Sequence, residues 1–467
     1  MTISTRLANW ASEISSAHTP KAREAAKQAI LDVVGCMVAG AGDSGAAKVR
    51  EAFKNMGVGY SVVCGSFRKA PAPYAALANG MAAHALDFDD TFMEAVTHAS
   101  ASLVPALFAL GDELDVRGDT IIDAYIVGLE IHGALGLALN RSHYDQGWHS
   151  TATLGVIGTA AACARVMGLD QVRFAHALNL AFSSAAGTKV QFGSMAKPLH
   201  AGLAAKNAIE AAKLAAAGVE GRANAFEGPM GLMELYGGSN PPGWDAAFEK
   251  FGGKLAIERQ GLTVKRFPCC AATHRAVDAV LDLMKKHGFE ASNVEHVDTW
   301  LNAGHVKNLR YLSPETEFEA RFSMQYCVAV ALLSGTITLS DFTPIAVQRQ
   351  EVKKLCKKIS ITPHEISGTG ASEIGSIRSM VRIALKDGRI LEGQSHTPKG
   401  DAANPLNNDE REAKFLDCCL GFLPHSHIDR LKTQIVSLDS AGSIRHCTRL
   451  LRFEAGADQG QRFEQRA

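Results

Sequence analysis

The chain lacks an excess of charge of either sign: 48 Lys and Arg face 48 Asp and Glu. No broad field draws it toward nucleic acid or an anionic membrane, so any anion must be recognised locally. No apolar run approaches a membrane span, because the long apolar stretches are broken by His, Lys, Asp or Gly. The opening MTISTRLANWASEIS has an early Arg and no apolar h-region, so no secretory leader is expected. There is no CxxC, and four of the ten cysteines form the adjacent pairs Cys269-Cys270 and Cys418-Cys419. Adjacent thiols rarely bridge each other, so reduced cysteines and a cytoplasmic location are expected. Cys270 and His274 have i, i+4 spacing, but no second Cys/His pair of suitable spacing stands near them. Neither a zinc site nor an iron–sulfur cluster is expected, and the metal set is read as none. No GxGxxG follows a strand, and there is no GxxxxGK[ST] and no GxSxG. These absences argue against nucleotide-dependent chemistry and against an α/β-hydrolase.

Apolar residues make up 46% and charged residues 21% of the 467, an ordinary globular balance in a chain too long for one core. The first half is rich in Ala, Leu, Val and Gly at helical spacing. Thr19-Pro20 reads as a capped helix start, and Ala22, Ala25, Ala26, Ala29 and Val33 repeat on one face. Thr151 to Leu169 and Ala201 to Ala217 read as buried helices, the first closed by Gly168. The pattern changes near Leu262. Glu295–Leu301 and Ile359–Thr362 read as strands, and Val381, Ile383 and Leu385 alternate before Asp387-Gly388, a hairpin signal, with return over Arg389–Gln394. Helices are expected between them, around Arg275–His287 and Glu319–Leu333, and again from Asp409. The expected fold is mainly α: a helical domain from 1–261 plus 398–456, an α+β domain over 262–397, and a polar tail at 457–467.

Four segments place His, Asp, Lys and Thr in apolar surroundings. In HALDFDDTFMEAVTHAS, a helix continued from His84 to Thr91 would put His84, Asp87 and Thr91 on one stripe and turn Asp89 elsewhere, with His98 after a break. A polar helix end with capping carboxylates would show the same residues. In QGWHSTATLG, His149 precedes a long apolar helix that Ser150 or Thr151 could cap, where free N–H groups favour an anion. A satisfied core histidine is the plainer reading. In GSMAKPLHAGLAAKNA, Lys197 precedes Pro198, so a helix is expected to begin after it; a cation at a helix start suits anion binding better than stability. A solvated lysine is the alternative. In KRFPCCAATHRAV, His274 and Arg275 open a helix behind a proline and two cysteines.

Taken together, HALDFDDT, GWHSTATLG, AKPLHAGLAAKNAIEAA, FPCCAATHRAVDA and PETEFEARFSMQY, in that order along the chain, resemble the MmgE/PrpD family. That family includes 2-methylcitrate dehydratases, cis-aconitate decarboxylases and iminodisuccinate epimerases. The resemblance implies a large helical domain with an inserted α+β lid, a homodimer, an active site between the two domains, and no cofactor. It implies catalytic roles for Asp87, His98, Lys197 and His274, and substrate binding by Thr91, His149, Tyr326 and Lys265. Where relatives often have proline after the TH histidine, this chain has Ala99.

Those residue types suit proton transfer beside a carboxylate. Charge that builds on carboxylate oxygens requires a fixed cation, which Lys197 would supply. Histidines titrate near neutrality and exchange protons, so His98 and His274 are read as the acid and base, with Asp87 orienting and Thr91 holding a carboxylate. The substrate is expected to be a small di- or tricarboxylate. Loss of carbon dioxide, loss of water, or return of the proton to the other face would make a decarboxylase, a dehydratase or an epimerase. Two rivals remain at this level: a metal-dependent lyase using His84, Asp87 and His98, and a non-catalytic helical scaffold.

Overall fold

The computed structural model describes residues 1–364 and 379–455, so the expected tail at 457–467 lies outside the described residues. The chain forms two compact units. The first comprises Met1–Val190, Ala196–Thr263 and the described residues from Asn408 onward; the second comprises Gln191–Met195 and the described residues of Val264–Asn407. The architecture is mainly α, with sheet concentrated in the smaller unit.

The first unit contains α1 (Ile3–Glu13), α2 (Pro20–Gly40), α3 (Ser44–Ala52), the two-residue strands β1 (Ser61–Val62) and β2 (Lys69–Ala70), α4 (Ala72–His84), α5 (Ala99–Leu114), α6 (Gly118–Leu139), α7 (Ser142–Asp145), α8 (Ser150–Val166), α9 (Gln171–Phe182), α10 (Ala196–Ala216), and the short α11 (Leu232–Tyr236), α12 (Trp244–Phe248) and α13 (Ala256–Arg259). Thr19 caps α2 by accepting from the Ala22 amide at 3.0 Å, with Pro20 in the first turn, where its missing N–H costs nothing. Gly168, at φ 62°, turns the chain after α8. Helix α6 is long and apolar enough to cross a membrane by length and composition, with mean hydropathy 1.5, which corrects the expectation that no run approaches a span. Its apolar window is 94% buried, as befits a core helix.

Small residues set the packing that matters most for the site. Helices α4 and α10 cross at Gly80 and Gly202. A Cβ on Gly202 would stand 2.3 Å from the Leu77 carbonyl oxygen, and one on Gly80 would stand 2.7 Å from Gly202 Cα. Only hydrogen fits there, so the two backbones approach closely. The crossing brings the last residue of α4, His84, to the first turn of α10, which carries Lys197.

The second unit holds α14 (Ala271–His287), β3 (Val294–Asn302), α15 (Ala303–Val306), α16 (Glu317–Ala320), α17 (Met324–Ser334), α18 (Pro344–Val347), α19 (Gln350–Cys356), β4 (Ile359–His364), β5 (Ser379–Leu385) and β6 (Ile390–Ser395). The sheet order is β4-β3-β5-β6, with β3 parallel to β4 and antiparallel to β5. The β5–β6 hairpin turns at Asp387-Gly388, with Gly388 at φ 88°. Helix α14 packs on β5, β6 and α17, and Val277, Val280, Val297 and Ile383 meet in one apolar core. Residues 398–407, expected with the helical part, group with this unit because backbone bonds tie them to it. Val264 N–H donates to Gly400 at 2.8 Å, and Lys399 N–H donates to Asp278 at 2.9 Å. The chain then returns to the first unit through α20 (Asn408–Cys419), α21 (His425–Val436) and α22 (Arg445–Thr448).

Candidate active site

The helix expected to run through Asp87 to Thr91 ends at His84. Asp87 adopts φ 51°, a left-handed conformation uncommon for a residue with a side chain, and the backbone turns away from the helix axis. Beyond the turn, Thr91 and Thr263 exchange backbone hydrogen bonds at 2.8 and 2.9 Å, and Phe92 and Thr97 do the same at 2.8 and 3.1 Å. Arg259 clamps this small hairpin through Glu94 at 2.8 Å. From behind, Lys414 on α20 donates to the Phe88 carbonyl at 2.8 Å and pairs with Asp32 at 2.7 Å. The turn is therefore fixed on several sides before any substrate arrives.

Its side chains converge on Lys197. The ammonium donates to Asp87 Oδ1 at 2.5 Å and to His84 Nε2 at 3.0 Å. The expectation that a helix begins after Lys197 is corrected: α10 starts at Ala196, with Lys197 and Pro198 inside its first turn, where a proline is tolerated. His84 Nδ1 lies 2.9 Å from both oxygens of Asp89. Asp89, expected to point elsewhere, also meets His98 Nδ1 at 3.2 Å, because the chain leaves the helix before reaching it. His98 Nδ1 lies 3.0 Å from the Asp90 carbonyl as well, and its Nε2 lies 3.9 Å from Asp87 Oδ1. Both neighbours of His98 Nδ1 are acceptors, so Nδ1 carries a proton.

His149 completes the group, with ring centroids 5.9 Å from His84 and 6.3 Å from His98. It occupies the position before α8 but makes no side-chain cap, and neither Ser150 nor Thr151 caps this helix. The Thr151 hydroxyl instead accepts from the His98 amide at 3.0 Å. His149 Nδ1 meets His200 Nδ1 at 3.0 Å, and His200 follows Lys197 by one helical turn on α10. Thr91 Oγ1 is buried and has no hydrogen-bond partner among the described residues, a donor left for something not of the chain.

The electrostatics follow from burial and pairing. Burial takes the His84 imidazole down to about 3, with Asp89 opposing and Lys197 and His98 reinforcing. Burial, then Lys197, lowers His200 to about 4, and burial with the surrounding cation and imidazoles lowers His149 well below the usual range. Burial alone would raise Asp89, yet the imidazoles of His84 and His98 hold it well below the usual carboxylate range. Burial pushes Asp90 up to about 7, only partly offset by the Ser100 hydroxyl that donates to it. The resting pattern is a neutral His84 that donates from Nδ1 to an ionised Asp89 and accepts at Nε2 from the Lys197 ammonium.

The ligand atoms of His84, Asp87, Asp89 and His98 lie within 4.8 Å of one another, a spacing that would also suit a metal ion. The cation among them is already built in. The Lys197 ammonium is within hydrogen-bond distance of both His84 and Asp87, so a second cation bound to the same atoms would have to displace it.

Of the remaining expected residues, Lys265, His274 and Tyr326 belong to the second unit, and all three are buried. His274 sits in the first turn of α14, its Nε2 3.2 Å from the Cys269 carbonyl and its ring beside Phe267. The Cys269 thiol meets the Thr273 hydroxyl at 3.2 Å. Tyr326, expected to bind substrate, lies in the apolar core against Phe342, and its hydroxyl donates to the Asp341 carbonyl. The residues that sequence reasoning left out are Asp89, His84 and His200. Only His84 had a signal, as part of the polar stripe.

Comparison with known proteins gives the family of the chain. Residues 5–245 match the MmgE/PrpD N-terminal domain and residues 267–440 the MmgE/PrpD C-terminal domain. A cis-aconitate decarboxylase of Mus musculus is 29% identical over 407 residues, 84% of this chain and 81% of that protein. One of Homo sapiens is 29% identical over 390 residues, 82% of this chain and 80% of that protein. One of Aspergillus terreus is 26% identical over 476 residues, 96% of each. With both domains matched in order and over most of its length, the chain belongs to the MmgE/PrpD family.

Proposed function

We propose that the protein is a lyase that removes carbon dioxide from an unsaturated tricarboxylate of the cis-aconitate kind, with Lys197 as the fixed cation and His98 as the proton donor. The observation that carries this reading is the buried ammonium flanked by Asp87 and His84 beside the His98 imidazole, in a chain whose relatives carry the name cis-aconitate decarboxylase. As parts of the same reading, the protein works as a homodimer in the cytoplasm and needs no organic cofactor.

The chemistry needs little more. As carbon dioxide leaves, the C–C bond breaks and its electron pair spreads over the adjoining double bond and the remaining carboxylates. An ammonium in a site sheltered from water stabilises that charge far more than it would in solution. A proton delivered to carbon completes the product, so each carbon dioxide released consumes one proton. His98 suits the delivery: Asp89 at Nδ1 favours the imidazolium, and Nε2 is the outward atom. Asp87 holds the ammonium in place before a substrate carboxylate joins it. The buried Thr91 hydroxyl and His149 fit the remaining carboxylate groups.

The test is incubation with cis-aconitate in D₂O, followed by NMR. The expected result is one carbon dioxide released and one deuterium fixed on carbon per turnover. Deuterium exchange without carbon dioxide release would favour an epimerase acting on iminodisuccinate-type acids. Release of water from 2-methylcitrate, with cis-aconitate inert, would favour a dehydratase. Inertness toward all three would overturn the reading.

A further inference from the structure

Asp89 touches no substrate group in the chemistry above, yet five side chains form a closed ring through it. Asp89 meets His84 Nδ1 at 2.9 Å, and His84 Nε2 accepts from Lys197 Nζ at 3.0 Å. Lys197 donates to Asp87 at 2.5 Å, Asp87 faces His98 Nε2 at 3.9 Å, and His98 Nδ1 returns to Asp89 at 3.2 Å. Asp89 is fully buried and stands at the end of the ring opposite Lys197.

We propose that Asp89 is a positioning residue that fixes the tautomers of two imidazoles at once and so aims the Lys197 ammonium and His98 Nε2. A carboxylate only accepts, so both rings must present Nδ1–H to it. That single constraint places a lone pair on His84 Nε2, where Lys197 needs an acceptor. It also leaves His98 Nε2 as the atom that gives and takes protons. If His84 were protonated at Nε2 instead, an N–H would confront the ammonium, and Lys197 would lose one of its fixed partners. The Asp90 carbonyl, 3.0 Å from His98 Nδ1, supports one ring only, and no comparable group stands behind His84 among the described residues. The logic is that of the buried aspartate of a serine-protease triad, serving two rings in place of one.

The substitution that separates the idea from simple packing is Asp89→Asn. It keeps the shape but offers one acceptor and one donor, so one imidazole must switch to the Nε2–H tautomer. The turnover number should fall by about 10²-fold or more while KM changes by less than about threefold, because aim is lost and the substrate's charged partners remain. The kinetic readout rests on the decarboxylase reading; the second measurement does not. In ¹⁵N-histidine NMR of the unmodified protein, the resonances that disappear in His84→Gln and His98→Gln should both show a protonated Nδ1. In Asp89→Asn one of them should show a protonated Nε2. An Nε2–H tautomer for His84 in the unmodified protein would overturn the proposal even if cis-aconitate were not a substrate. Unchanged turnover in a folded Asp89→Asn variant would do the same.

Discussion

The turn around Asp89 and the turn around His274 each set a histidine at the start of a helix, His98 before α5 and His274 in the first turn of α14, and they hold it by different ring atoms. In the first, the Asp89 carboxylate takes the Nδ1–H of both His84 and His98. In the second, a backbone carbonyl, that of Cys269, takes the proton on Nε2 of His274, and the Phe267 ring stands beside the imidazole. The first turn therefore carries a fixed ammonium beside buried carboxylates, while the Nε2 partner in the second is a neutral carbonyl.

The strongest way to break this contrast is to remove the charge that distinguishes the first region. Lys197→Ala should lower the turnover number by about 10³-fold, since the developing carboxylate charge loses its fixed cation. Near-normal turnover would place the essential cation elsewhere. The next test sharpens the contrast. His98→Gln and His274→Gln should each lower turnover by about 10²-fold, but only His98→Gln should abolish deuterium delivery to carbon. Equal loss of delivery in both would erase the distinction between donor and partner.

Much of this was legible in the residues, and what was not has a common cause. The helix start at Thr19-Pro20, the hairpin at Asp387-Gly388 and the burial of Thr151–Ala164 are local facts, set by capping, turn geometry and periodicity. Asp89 was misread because helical spacing was carried past His84, and nothing local announces that Asp87 will take a left-handed conformation. Lys197 was placed before its helix because Pro198 reads as a boundary, whereas in the first turn a proline loses no hydrogen bond. Tyr326 looked like a cleft residue by resemblance, but its hydroxyl is taken by Asp341, fifteen positions on and invisible to spacing. His200 is one turn from Lys197, and its value lies in a bond to His149 that only the packing of α8 on α10 creates.

That packing supplies a third test, of smaller size. Gly202→Ala pushes a methyl into the Leu77 carbonyl, so α4 and α10 must separate. Overpacking of this kind costs about 1–3 kcal/mol, seen as a lower Tm. Because the same crossing carries His84 to Lys197, turnover should fall with it, whereas Gly288→Ala, at the end of α14 with nothing within 4 Å of its added Cβ, should leave turnover unchanged despite its strained φ of 62°. Loss of stability with full activity in Gly202→Ala would show that the crossing does not aim the lysine.

The mildest test reads the burial of the imidazoles through pH. Burial lowers His84 and His132 to about 3 and His143 and His200 to about 4. An unfolded chain protonates the same rings near 6.5, so it binds more protons than the folded one as pH falls through that value. Stability contributed by these neutral rings is present above about 6.5 and drains away toward acid. Asp90 works in the opposite sense: burial raises it to about 7, so the folded state takes up its proton first and gains stability on acidification. His200 is the least buried of the four and should contribute least. From pH 7 to pH 6 the histidines should outweigh Asp90 by about 1–2 kcal/mol, a fall in Tm of a few degrees by calorimetry. Asp90→Asn should steepen that fall by removing the opposing group. A Tm that is flat or rises over this range would mean that the imidazoles are hydrated in the folded protein, and the neutral His84 on which the Lys197 contact depends would go with them.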